Sequence, residues 1–125
     1  MKITENFKRE EFDCTDGTDY PKAWITRKLL PLCQALEKIR EELGGKSIVI
    51  TSGYRTENYN QKIGGSKNSY HVQGLAVDFK VAGVKASVVY DQIEKLIEDK
   101  VIPEGGLGKY PTWVHYDQRG FKARW

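Results

Sequence analysis

Only two histidines occur among the 125 residues, and each sits in a setting suited to metal ligation. His71 belongs to Ser69-x-His71-x-x-Gly74-x-Ala76-x-Asp78, and His115 to Val114-His115-Tyr116-Asp117. Two imidazoles and a carboxylate make a three-ligand zinc site with an open fourth position, the arrangement that chemistry by a metal-bound water requires. A fold that uses all three must bring segments far apart in the chain to one point.

The hydrophobic pattern describes such a fold. Leu29, Leu32, Cys33, Leu36, Ile39 and Leu43 recur at three- and four-residue steps from Thr26 onward, and Gly44-Gly45 closes the run, as a helix with a glycine cap does. Pro31 belongs in the first turn of that helix, because deeper inside it would remove a hydrogen bond. Ile48-Val49-Ile50 reads as a buried strand that delivers Ser52-Gly53-Tyr54-Arg55-Thr56 to its end, and Thr56 caps a short helix stopping at Gly64-Gly65. From Leu75 to Lys80 the residues alternate, with Leu75, Val77 and Phe79 on one face and Ala76 and Asp78 on the other. Gly74 and Ala76 keep that stretch small, so that it can turn toward an ion. A second amphipathic helix spans roughly 87–99, a glycine-rich turn surrounds Gly105-Gly106, and Trp113 to Asp117 forms a last strand with Trp113, His115 and Asp117 on one side. Residues 1–25 read as irregular. The expected fold is α+β, a small, mainly antiparallel sheet packed with two to three helices, as a single domain over residues 1–125.

Composition narrows the function classes. With 39% hydrophobic and 30% charged residues, the chain fits one globular domain, which at this size buries roughly 65% of its unfolded surface. No apolar run approaches the ~18 residues of a membrane span, and MKITENFKREEF lacks the apolar centre of a signal peptide, so no membrane insertion and no export signal are expected. A net charge of +3, with acidic residues scattered among the lysines, gives no basic stripe for nucleic acid. Cys14 and Cys33 form no C-x-x-C pair; they are either free thiols, with Cys33 buried on the first helix, or one disulfide, and the spacing does not decide between these.

The motifs match a known pattern in order, spacing and flanks. Phe7-Lys8-Arg9-Glu10-Glu11-Phe12, Thr51 to Thr56, Asn60 before Gly64-Gly65, the Ser69-to-Asp78 block, Gly106 to Pro111, Val114 to Arg119 and the closing Ala123-Arg124-Trp125 all take part. On these residues the chain resembles the zinc D-Ala-D-Ala carboxypeptidase family with the hedgehog/DD-peptidase fold, in particular its short members in phage lysins and bacterial cell-wall enzymes. The resemblance implies one zinc ion held by His71, Asp78 and His115, with peptide bonds next to D-amino acids in peptidoglycan as the substrate. It implies action at the cell wall, as a carboxypeptidase or as an endopeptidase released like a phage lysin, by a protein expected to be monomeric.

Arg55 is the partner for substrate charge, either stabilising an oxyanion or clamping a carboxylate in a bidentate pair. Ser69 hydrogen-bonds substrate or orients the loop that carries His71. Larger relatives place an acidic residue three positions before the last histidine, where this chain has Thr112, and a His-x-His variant needs histidine where Trp113 stands. Asp117 remains. On a strand it lies on the same side as His115, placed either to act as general base, to orient a ligand, or to pair with Arg119. Glu104 is a further acidic candidate. The competing reading is a zinc-containing module that binds cell-wall peptide without cleaving it, and a third is a zinc-stabilised interaction domain of a virion or secretion apparatus.

Overall fold

The computed structural model describes residues 1–125. Strands β1 (Lys2–Thr4) and β2 (Phe7–Lys8) form an antiparallel hairpin, and a 3-10 turn follows at Arg9–Phe12. Helix α1 spans Leu30–Glu42, β3 Ile48–Ser52, α2 Glu57–Lys62, β4 Ala76–Val81 and α3 Ala86–Glu98. Strands β5 (Gly106–Lys109), β6 (Val114–Asp117) and β7 (Ala123–Arg124) complete a five-stranded sheet in the order β3-β4-β6-β5-β7. Every pairing in it is antiparallel except β5 with β7. The architecture is α+β, with three α-helices packed around the sheet. No helix is long and apolar enough to cross a membrane.

Period-2 alternation decides which face of the sheet is buried. Val77 and Phe79 of β4, Val114 and Tyr116 of β6 and Leu107 of β5 enter one apolar cluster with Leu32, Leu36 and Ile39 of α1 and Val89 and Ile93 of α3. Asp78, His115 and Asp117 therefore all emerge on the opposite face. Cys14 and Cys33 are both buried and free, and burial pushes the Cys33 thiol far above the usual range.

Three segments depart from the sequence pattern for local reasons. Residues 1–25, expected to be irregular, contain the β1–β2 hairpin and short 3-10 turns at Arg9–Phe12 and Lys22–Trp24, too brief to leave a periodic signature. The helical path starts at Ile25, but Ile25–Leu29 is a π turn in which Leu30 N–H donates to the Ile25 carbonyl, and regular α geometry begins only at Leu30. Pro31 explains the change of pitch: it offers no N–H and its ring would crowd the carbonyl four residues back, so the wider turn carries the chain past it. The segment read as a glycine-rich turn is the inner strand β5 from Gly106 onward.

Gly74 has a different reason from the one its spacing indicated. Its φ of +73° is left-handed, and a Cβ there would meet Trp24 Cε3 at 2.7 Å and Tyr20 Oη at 2.8 Å. The space is thus taken by aromatics, not kept clear for an ion. Tyr20, Trp24 and Tyr54 form a mutually edge-packed triad with centroids 5.9–6.4 Å apart, and Tyr20 Oη donates to the Gly74 carbonyl at 2.7 Å. This cluster braces the turn between His71 and β4. Gly74→Ala should lower the unfolding free energy by about 1–3 kcal/mol, read from urea denaturation, through backbone strain together with displaced aromatics. An unshifted midpoint would show that the turn needs neither.

Candidate metal centre and its cleft

The pairing register puts the site together. Ser52 of β3 lies opposite Asp78 of β4, Asp78 opposite His115 of β6, and His115 opposite Gly108 of β5, so one row across four strands carries two of the three predicted ligands. The neighbouring row runs Ala76, Asp117, Gly106, Ala123. His71 arrives from the turn before β4, its backbone N–H donating to Ser69 Oγ at 3.2 Å. One ligand atom each from His71, Asp78 and His115 lie within 4.8 Å of one another, and all three residues are buried.

Both imidazoles are oriented from behind. His71 Nδ1–H donates to the Gly53 carbonyl at 2.8 Å, which leaves Nε2 facing Asp78 Oδ1 at 3.2 Å. His115 Nε2–H donates to Asp117 Oδ2 at 2.6 Å, which leaves Nδ1 facing the same Asp78 oxygen at 2.9 Å. With both tautomers fixed in this way, two nitrogen lone pairs and a carboxylate oxygen converge on one point. That is an arrangement of donors that a divalent cation satisfies, and the N, N, O set suits zinc. Gly53 must be glycine because a Cβ would lie 2.7 Å from the Phe12 backbone, to which the next residue is tied by a Tyr54 N–H to Phe12 carbonyl bond of 2.8 Å.

Asp117 is fully buried, and its carboxylate is saturated. It accepts from His115, from Arg119 Nε at 2.8 Å and Nη2 at 2.7 Å, and from the backbone N–H groups of Gly106 and Arg119. Gly106 leaves room for this group, since a Cβ there would run into Asp117 Oδ2. Arg55 is tied to Ser52 Oγ through Nε, to Asn60 Oδ1 through Nη1 and to Asp78 Oδ2 through Nη2 at 3.4 Å. Asn60 is itself held by a bond from Nδ2 to the Ser66 carbonyl. Its place in the sequence gave no sign that it steadies Arg55.

A cleft of about 490 Å³ opens beside the three predicted ligands, lined among others by Arg55, Ser69, Tyr70, Tyr110, Arg119 and Trp125. Asp78 is the single carboxylate in its lining. Glu104 lies instead in a separate hollow between α3 and the residues before β5, where it pairs with Arg124. Trp125 forms the wall over His115, its ring 4.9 Å away, with Nε1 donating to Tyr110 Oη at 2.9 Å. Gly108 is glycine because that indole lies against its α-carbon. The closing tryptophan was visible in the sequence as part of a pattern, but its contact with His115 was not.

The chain belongs to the peptidase M15 family, whose sequence profile matches residues 4–117. The members of this family are zinc peptidases, and His71, Asp78 and His115 could hold the metal. Over 95 residues it is 37% identical to the probable peptidoglycan L,D-endopeptidase MepK of Haemophilus influenzae, an alignment that covers 69% of this chain and 48% of that protein. The chain therefore spans about half the length of this curated relative.

Electrostatics couple the site to pH. Burial works against a charged Asp78, yet the facing His115 and His71 outweigh it and hold the carboxyl well below its usual range; Asp117 is held low in the same way by Arg119 and His115. For His115, burial favours the neutral ring, but Asp117 and Asp78 outweigh it and raise the pKa above 6.5. In the metal-free protein, the His115 contribution to stability is full below 6.5 and is lost as pH rises through its folded value. The two carboxylates contribute above about 3.8, and their share is lost only as pH falls through their depressed folded values. Zinc runs the other way from His115, because a proton on Nδ1 excludes the metal. Zinc affinity, measured by competition with a chromophoric chelator, should begin to weaken at a pH above 6.5 as the solution is acidified. An affinity constant down to 6.5 would contradict this.

Proposed function

We propose that the protein is a zinc-dependent peptidase that hydrolyses peptide bonds next to D-amino acids in peptidoglycan stem peptides or cross-links. The observation that carries this reading is the convergence of His71 Nε2, Asp78 Oδ1 and His115 Nδ1 at the floor of an open cleft, in a chain of the M15 family. The named activity of the Haemophilus relative supports the endopeptidase form of the reaction over removal of a terminal residue.

A zinc ion held by these three residues supplies Lewis acidity, lowering the pKa of water to about 7 and polarising the peptide carbonyl. The chain's own groups do the rest. Arg55, fixed by Ser52, Asn60 and Asp78, keeps its remaining N–H donors in a pre-set direction, so it can meet an oxyanion in the cleft without reorganising. Ser69 holds the turn that presents His71. Asp117 serves as the positioning carboxylate of His115: every strong donor around it is engaged, and it lies beneath the cleft instead of in its lining.

Two experiments test these assignments. Incubation of purified sacculi with zinc-loaded protein, followed by mass spectrometry of the muropeptides, should reveal newly hydrolysed peptide bonds and locate them. The products should vanish with excess EDTA or with His71→Ala, and zinc should restore them only to the chelated native protein. Hydrolysis that persists in EDTA would overturn the reading. Asp117→Asn should weaken zinc binding by about 10- to 100-fold, with turnover largely recovered in excess zinc. A variant that binds zinc normally yet turns over about 100-fold more slowly would instead make Asp117 the general base.

One observation favours a second reading. The cleft lining contains no carboxylate apart from Asp78, so a zinc-containing module that binds cell-wall peptide without cleaving it fits the same geometry. Retention on sacculi with no new amine termini after hours would select that module.

A further inference from the structure

Two guanidinium groups line the cleft, Arg55 paired with Asp78 and Arg119 paired with Asp117 beneath it, and a divalent ion bound between the histidines would add positive charge. The two arginines are not equivalent. Arg55 spends Nε, Nη1 and Nη2 on neighbouring side chains. Arg119 spends Nε and Nη2 on Asp117, while Nη1 has no protein acceptor.

The surroundings of Arg119 fix where that free edge can go. Its Cζ lies 4.2 Å from the Tyr70 ring and 5.2 Å from the Trp125 ring, so aromatic surfaces crowd the guanidinium. The bidentate pair to Asp117 holds it from a third direction. A guanidinium held in this way cannot swing aside, and its side chain is only 15% exposed. Little ordering entropy would be lost when a planar anion meets it, and the surrounding rings strengthen the charge-assisted bond by excluding water.

We infer that Arg119 is a specificity-determining residue, binding a free carboxylate of the peptide substrate through Nη1 on the His115 side of the cleft while Arg55 serves the Asp78 side. This rests on the peptidase reading and extends it to the chemistry of the substrate: a peptide with an unamidated carboxylate close to the scissile bond. The carboxylate can be the terminal α-carboxylate or a side-chain carboxylate, and the two are separable. A terminal group makes the cleft that of a carboxypeptidase; a side-chain group is compatible with cleavage inside a cross-link.

Three synthetic stem peptides test the inference: one with both carboxylates free, one amidated at the C-terminus and one amidated at the side chain. With zinc-loaded native protein, one of the two amides should lose about 10- to 100-fold in kcat/KM, chiefly through KM, and the sensitive one names the source of the carboxylate. The cleaved acidic fragment and its amide should differ likewise in affinity by calorimetry, a reading that does not depend on turnover. In Arg119→Gln, which keeps a donor toward Asp117 without the charge, and with zinc content measured alongside, acid and amide should become nearly equal, because the acid loses its charged partner and the amide has none to lose. Should the glutamine variant fail to hold zinc, Arg119→Lys, which keeps a cation but loses the planar fork, should show a reduced preference for the acid.

Equal handling of acid and amides by the native protein overturns the inference, as does an equal loss for all three peptides in the variants, which marks Arg119 as a support for Asp117 alone. If none of the peptides is cleaved, the peptidase reading fails, and the calorimetric difference between acid and amide fragments still decides the role of Arg119.

Discussion

The site depends on one register. Because Asp78 of β4 faces His115 of β6 across an antiparallel pair, two candidate ligands from distant parts of the chain become nearest neighbours on one face of the sheet. Side chains directly opposite each other on such a pair stand about 5 Å apart, close to the separation that ligands of a single ion require. A slip of one residue would turn Asp78 toward Phe79's side, burying a carboxylate among apolar side chains and exposing Val77. The apolar cluster formed by Val77, Phe79, Val114 and Tyr116 therefore holds the site in register from the other face of the sheet. Core and chemistry are enforced by the same alternation.

Around that pair, the protein settles the rings before any ion arrives. The Gly53 carbonyl fixes one imidazole and Asp117 the other, so the lone pairs that matter face Asp78. This pre-orientation has an electrostatic cost, since lone pairs converge in a buried place, and the raised pKa of His115 is one way the metal-free chain relieves it. Arg119 and Arg55 balance the outer sides of the two carboxylates. Arg55, Asp78, His115, Asp117 and Arg119 thus form a continuous ladder of alternating charge and hydrogen bonding across the sheet.

Much of this was legible in the sequence, and the remainder was hidden for physical reasons. Helices α1 and α3 and strands β4 and β6 announce themselves because each has a long enough run with one buried face. Thr56 does cap α2, its Oγ1 accepting from Tyr59 N–H. His71, Asp78 and His115 could be picked out by residue type, but nothing local in the chain states that β4 pairs with β6. The hairpin β1–β2 escaped because elements of two or three residues have no period. Strand β5 looked like a turn because glycines were read as conformational punctuation, whereas Gly106 and Gly108 serve to clear space for Asp117 and Trp125. Among the partners of Asp117, His115 and Arg119 are each two residues away and readable from spacing, whereas the Gly106 N–H is brought in by the β5–β6 pairing and is not. Asn60 and Trp125 act through contacts that a one-dimensional pattern does not encode.

The bare face of β5 has a broader consequence. Since that strand offers no side chains at Gly106 and Gly108, the surface above His115 is furnished by residues that come later in the chain, above all Trp125, which is 46% exposed and is held by backbone bonds to Leu107 and Lys109. Ligand geometry and cleft shape are thereby assigned to separate pieces of polypeptide. The floor is locked into the sheet, while the wall rests on it like a fitted panel, and the contour offered to a substrate can be recut at that panel without disturbing the side chains beneath.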